Sequence, residues 1–125
     1  MTTTSMVHTN GKGDTLATSG SEVYDLLAPN VDIFESDREI LIDADFPGIT
    51  PDALEVQLDG GELTLEGRRP APPNGRPSRL RRTFRVPESV DPGGVEAELR
   101  NGVLRVRLPK REEALPRRIE IRAAD

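Results

Sequence analysis

Residues 95–108, VEAELRNGVLRVRL, alternate apolar and charged side chains on both sides of Asn101-Gly102. Val95, Ala97 and Leu99 fall on one face of the first run, and Glu96, Glu98 and Arg100 on the other. Beyond the Asn-Gly pair, Leu104, Val106 and Leu108 alternate with Val103, Arg105 and Arg107. Strand side chains change face at every residue, so each run is predicted as a strand with one buried face. Asn-Gly suits a two-residue type I′ turn, whose central residues both need positive φ. Pro109 has no N–H to give a sheet and is predicted to end the second strand.

The same period recurs upstream. Val31 and Ile33 alternate with Asp32 and Phe34, and Ile40, Ile42 and Ala44 share a face of a second run. Leu54, Val56 and Leu58 alternate with Glu55 and Gln57. After the turn signal Asp59-Gly60-Gly61, Leu63 and Leu65 alternate with Glu62, Thr64 and Glu66. Gly67 is predicted to end that strand. Leu80, Phe84 and Val86 mark a further strand, with Arg82 interrupting its apolar row. Thr50-Pro51-Asp52 has the form of a helical first turn, with Thr50 as cap and proline at the first position. Seven short strands set apart by turn signals, with almost no helical signal, predict an all-β fold, an antiparallel β-sandwich.

Residues 29–109 hold this pattern and are predicted to be the folded domain. Residues 1–28 are predicted to be a disordered N-terminal arm, because 1–22 are rich in Thr, Ser and Gly without an apolar period. Within 22–28, Val23, Leu26 and Leu27 have the i, i+3, i+4 spacing of one short amphipathic helical turn. Residues 110–125 form a charged C-terminal extension that closes on Ile119-Glu120-Ile121.

The chain has no cysteine, no Trp, one Tyr and three Phe. Disulfides, thiolate catalysis and cysteine metal sites are therefore ruled out, and a reducing compartment is compatible. A core must be aliphatic, and no aromatic platform exists for stacking bases. No run of 18 apolar residues is present, so no membrane span is expected. The N-terminus has neither a basic start nor an apolar stretch and is not expected to act as a secretory signal. The expected location is cytoplasmic.

Charge is unevenly distributed. Residues 29–66 carry eleven acids against one base, Arg38, whereas 67–85 carry seven arginines and no acid. The arginine-rich segment is proline-rich and has no aromatic platform. Balance within the chain, or between two copies, is the preferred reading over nucleic-acid binding.

Ala97-x-Leu99-x-Asn101-Gly102-Val103-Leu104, followed by Pro109-Lys110, resembles the most specific signature of the small heat-shock proteins, whose core is the α-crystallin domain. Val31-Asp32-Ile33-Phe34-Glu35, Asp45-Phe46-Pro47-Gly48-Ile49, Leu63-Thr64-Leu65-Glu66-Gly67-Arg68 and Phe84-Arg85-Val86-Pro87 add to the match. Ile119-Glu120-Ile121 resembles the I-x-I motif of that family's C-terminal extension. The resemblance implies an immunoglobulin-like sandwich with flexible N- and C-terminal tails. It also implies ATP-independent holdase activity towards partly unfolded clients, and dimers that can build larger homo-oligomers.

Carried over to this chain, it places a hydrophobic groove between the strand of Leu54, Val56 and Leu58 and the strand of Leu104, Val106 and Leu108. Ile119 and Ile121 of a neighbouring copy are the implied latch. The family's bacterial-type members exchange a strand from a long loop. The corresponding stretch here, Arg68 to Arg79, is short and proline-rich, without an aromatic residue.

Nothing in the residues points to catalysis. The single histidine, His8, lies in the arm, so no folded histidine is expected as base or ligand. Acid pairs such as Asp43/Asp45 and Glu96/Glu98 are neighbours on exposed strand faces, where they serve solubility. Gly60-Gly61 and Gly93-Gly94 lack the lysine and helix of a phosphate loop. No enzyme, cofactor, metal, nucleic-acid or membrane role is expected. A non-catalytic adaptor on the same sandwich, binding one protein partner, is the alternative to a holdase.

Overall fold

In the computed structural model the alternating runs pair into two facing sheets. The structure describes residues 5–9, 15–19 and 22–124, with side chains from 23 onward. The strands are β1 (Ser5–Thr9), β2 (Thr15–Ser19), β3 (Glu22–Leu27), β4 (Val31–Glu35), β5 (Glu39–Asp45), β6 (Leu54–Asp59), β7 (Glu62–Arg69), β8 (Ser78–Arg85), β9 (Glu96–Arg100) and β10 (Val103–Pro109). One sheet has the order β1-β2-β3-β8-β7-β6 and the other β4-β5-β10-β9. Every pairing is antiparallel except β3 with β8.

The hairpin of β9 and β10 forms as its sequence dictates. Val103 pairs with Arg100, so Asn101-Gly102 is a two-residue turn, and φ is +51° at Asn101 and +77° at Gly102. β10 then pairs with β5 in a register that sets Leu104 against Ala44, Val106 against Ile42 and Leu108 against Ile40. Directly opposed residues share a face. All six side chains therefore turn inward and are buried, together with Leu63 and Leu65 of the opposite sheet and Phe46 and Ile49 from the β5–β6 connection. Among the described residues no polar or charged residue is buried. Thr50-Pro51-Asp52 opens a 3-10 turn, Pro51–Ala53, with proline in its first positions as expected, but the Thr50 side chain makes no capping hydrogen bond to it.

Three local readings differ from the structure. Gly67 does not end β7: the strand continues to Arg69, and Gly67 is buried inside it. A Cβ built there falls 2.7 Å from Cδ1 of Ile49 and 2.8 Å from Cδ1 of Phe46. The position requires glycine because the core approaches the backbone, not because the chain turns.

Glu22–Leu27 is a strand, not a helical turn. Strand geometry buries Tyr24, to 5% exposure, and leaves Val23 exposed, which the helical spacing does not anticipate. The guanidinium of Arg79 lies 4.1 Å from the centre of the Tyr24 ring, the amide of Asp25 donates to the carbonyl of Pro77 at 2.9 Å, and Arg76 forms a 3.3 Å ion pair with Asp25. Partners some fifty residues away thus decide this segment's conformation. Residues 5–9 and 15–19, which carry no strand pattern, also pair as strands, and His8 stands opposite Leu16 in backbone register. The rest of the arm expected to be disordered, residues 1–4, 10–14 and 20–21, lies outside the described residues.

Candidate functional site

β6 is the last strand of its sheet, and its core-facing residues Leu54, Val56 and Leu58 are half-buried. They pack against the core but are not sealed into it. One edge of the opposite sheet is β9. Its Leu99, and Val95 immediately before it, are likewise half-buried against the core. At these two margins apolar side chains meet both core and solvent.

The groove wall expected on Leu104, Val106 and Leu108 is not available to a ligand. β10 lies between β5 and β9, and the three side chains are at most 2% exposed. They are core. Leu104 faces Leu99, and Val106 faces Ala97, across the hairpin. On the core-facing row of this hairpin the apolar side chain left half-buried is Leu99 of β9.

The signature turn has a structural task. The amide of Phe46 donates to the carbonyl of Gly102 at 2.7 Å, and a Cβ on Gly102 would come 3.4 Å from Cα of Pro47. Through this bond Gly102 ties the β9–β10 turn to the residue that follows β5; of the other signature residues Leu104 is buried, Leu99 and Val103 are half-buried, and Ala97 and Asn101 are exposed.

The chain leaves the sandwich at Lys110, which bridges to Val90 and forms a 3.1 Å ion pair with Glu35. After a 3-10 turn, Glu112–Ala114, no regular structure follows among the described residues. Ile119 and Ile121 are 77% and 91% exposed, so neither packs on its own domain. Arg117, Arg118 and Arg122 flank them. Glu55 and Asp59 on β6, and Glu96 and Glu98 on β9, are exposed acids on the two apolar margins. Basic tail and acidic rims are complementary in sign.

One charge pair stitches the sheet beneath this hairpin. Nε and Nη2 of Arg105 on β10 donate to the two carboxylate oxygens of Asp43 on β5 at 2.8 and 2.9 Å. Those hydrogen bonds hold the Asp43 carboxyl below its ordinary range; burial opposes them, and the guanidinium charge adds a lesser pull in their direction. Among the described residues no group of three His, Cys, Asp or Glu could hold a metal ion, and no helix is long and apolar enough to cross a membrane.

A family model described as Hsp20/alpha crystallin family matches residues 32–122. The probable 15 kDa heat shock protein of Leptospira interrogans is 34% identical over 106 residues, covering 78% of this chain and 81% of that protein. The spore protein SP21 of Stigmatella aurantiaca is 33% identical over 103 residues, covering 74% of this chain and 61% of that protein. Among solved structures, a small heat-shock protein from Xylella fastidiosa is 34% identical with a TM-score of 0.64, covering 77% of this chain and 97% of that one.

Proposed function

Because the chain belongs to the Hsp20/alpha crystallin family, that of the small heat-shock proteins, we propose that it is an ATP-independent holdase. It binds partly unfolded proteins, limits their aggregation, and associates with itself through its C-terminal tail. The single observation that carries the reading is the pairing of an exposed Ile119/Ile121 motif with half-buried apolar margins it does not itself occupy. The absence of cysteine suits work in a reducing cytoplasm.

The docking groove in this reading lies between edges β6 and β9. Leu54, Val56 and Leu58 form one wall, and Val95 and Leu99 the other. Ile119 and Ile121 are spaced i, i+2, so an extended tail points both into the groove while Glu120 faces away. Burying two isoleucines contributes about 3–6 kcal/mol, and ordering several tail residues costs a comparable amount. The net is a weak, reversible latch. Arg117, Arg118 and Arg122 steer it to the acidic rims of Glu55, Asp59, Glu96 and Glu98. An adaptor for one specific partner has no use for such a self-docking latch, which favours the holdase.

The test is turbidity of several unrelated aggregation-prone proteins on heating, without ATP, at equal mass of this protein. Suppressed aggregation across clients is the expected result. If every client aggregates as it does alone, the holdase reading fails and a single-partner adaptor takes its place.

A further inference from the structure

Three asparagines of this chain, Asn10, Asn74 and Asn101, are each followed by glycine. Asn10 lies outside the described residues. An asparagine carboxamide is most open to the next backbone nitrogen when the next residue is glycine, which has no Cβ to shield that nitrogen. The nitrogen closes a succinimide ring onto the carboxamide carbon. Closure has one geometric demand: Cβ of the asparagine and N of the glycine must lie on the same side of the asparagine Cα–C bond.

The hairpin turn refuses that demand. Asn101 is exposed, so water reaches it freely. With φ of +51° and +77° in a two-residue connection, Asn101-Gly102 is a type I′ turn. The first central residue of such a turn has ψ of about +30°. For an L residue this sets Cβ nearly trans to the following nitrogen. A flip of the Asn101–Gly102 peptide to type II′ brings the two together, but that turn needs glycine at the first position, where asparagine stands. The Gly102 carbonyl is also held by the Phe46 amide at 2.7 Å, and Val103 is paired with Arg100. The remaining route to closure is opening of the hairpin.

Asn74 is placed differently. It is exposed, with φ of +60°, in the connection 70–77 between β7 and β8. The Gly75 amide donates to the Pro72 carbonyl at 3.0 Å, closing a local turn. Among the described residues no strand pairs with this connection. Release of one local turn frees Asn74 to rotate, with the sandwich intact.

We propose that Asn101 is a deamidation site gated by the β9–β10 hairpin, and that Asn74 is its ungated counterpart. The Gly102 nitrogen bonds to Cγ of Asn101, its proton leaves with the carboxamide nitrogen, and ammonia is released. Water then opens the ring at either carbonyl, giving aspartate or isoaspartate. Isoaspartate routes the backbone through Cβ and so inserts a methylene into the turn. A two-residue I′ connection cannot absorb that insertion and keep both its strand pairing and the bond to Phe46. β9 pairs with β10 alone, so it has no second strand to hold it. An opening that lasts long enough for ring closure is therefore recorded covalently in the signature turn. None of this depends on self-association or on client binding.

The full chain is incubated in warm, mildly alkaline buffer, with and without denaturing urea. Both sites are followed by peptide mass spectrometry, with isoaspartate resolved from aspartate by chromatography. In the folded protein Asn101 is expected to react at least roughly tenfold more slowly than Asn74, because its reaction waits on a sub-global opening. In urea the two rates are expected to converge to within a few-fold. Leu99→Ala loosens β9 against the core and is expected to speed Asn101 several-fold while leaving Asn74 unchanged. Equal rates at the two sites in the folded protein overturn the proposal. So does an Asn101 rate that Leu99→Ala does not move, an equal acceleration of both sites by that variant, or an Asn101 that stays unreactive in urea.

Discussion

Gly67→Ala puts one methyl group where the sandwich has no room for it. The nearest atoms to the new Cβ are Cδ1 of Ile49 at 2.7 Å, and Cδ1 and Cε1 of Phe46 at 2.8 and 3.2 Å. The Ile49 atom is the end of a side chain that can rotate away. The Phe46 ring is fully buried and has nowhere to go without moving its own neighbours. Overpacking of this kind costs about 1–3 kcal/mol. Replacing glycine within a strand returns roughly 0.5–1 kcal/mol through chain entropy. The net expectation is a loss of about 1–2 kcal/mol, or roughly 5–15 °C in Tm for a domain of this size.

Thermal and urea unfolding followed by far-ultraviolet circular dichroism measure it. Ile49→Val removes the closest clashing atom at its own cost of about 0.5–1.5 kcal/mol. The double variant is therefore expected to lose less than the sum of the two single losses. If Gly67→Ala is as stable as the parent, the close approach of Phe46 does not constrain this strand and the account of the glycine is wrong.

Two further perturbations bear on the tail and on the sheet. Ile119→Ser with Ile121→Ser is expected to shift assemblies towards dimers in size-exclusion chromatography with light scattering, and unchanged mass refutes the latch. Because the folded Asp43 carboxyl is held below its ordinary range, its ion pair with Arg105 stabilises at neutral pH and is lost as pH falls through the folded value. Asp43→Asn is therefore expected to flatten the acid side of the stability–pH curve, and an acid limb identical to the parent's refutes that assignment.

The strands legible in the sequence are those whose one-sided burial is written in local alternation. Ile40, Ile42 and Ala44 on β5, and Leu104, Val106 and Leu108 on β10, need only the period of two. The turn at Asn101-Gly102 needs only the φ requirement of its two residues. β3 is not legible, because its inward residue is Tyr24 and the groups that hold it, Arg76, Pro77 and Arg79, are distant in sequence.

The groove is half legible. Both strands of the hairpin show the same alternation, and alternation says which face is buried but not which strand has a free edge. Only the sheet order β4-β5-β10-β9 shows that Leu104, Val106 and Leu108 lie on an inner strand, which is why the proposed wall is drawn on Val95 and Leu99. Gly67 misleads for a related reason: a glycine at the end of an apolar run has the appearance of a stop until the ring of Phe46 is seen beneath it.

Tyr24 is the chain's one tyrosine, and there is no tryptophan. Its tyrosine emission therefore comes from one side chain, pinned between the sandwich and the guanidinium of Arg79. The protein carries its own optical reporter for the junction of β3 with β8, blind to the aliphatic core. Tyrosine emission and far-ultraviolet circular dichroism followed together during unfolding separate release of that strand from loss of the sandwich. No label is needed to watch whether the N-terminal strands peel away before the domain melts.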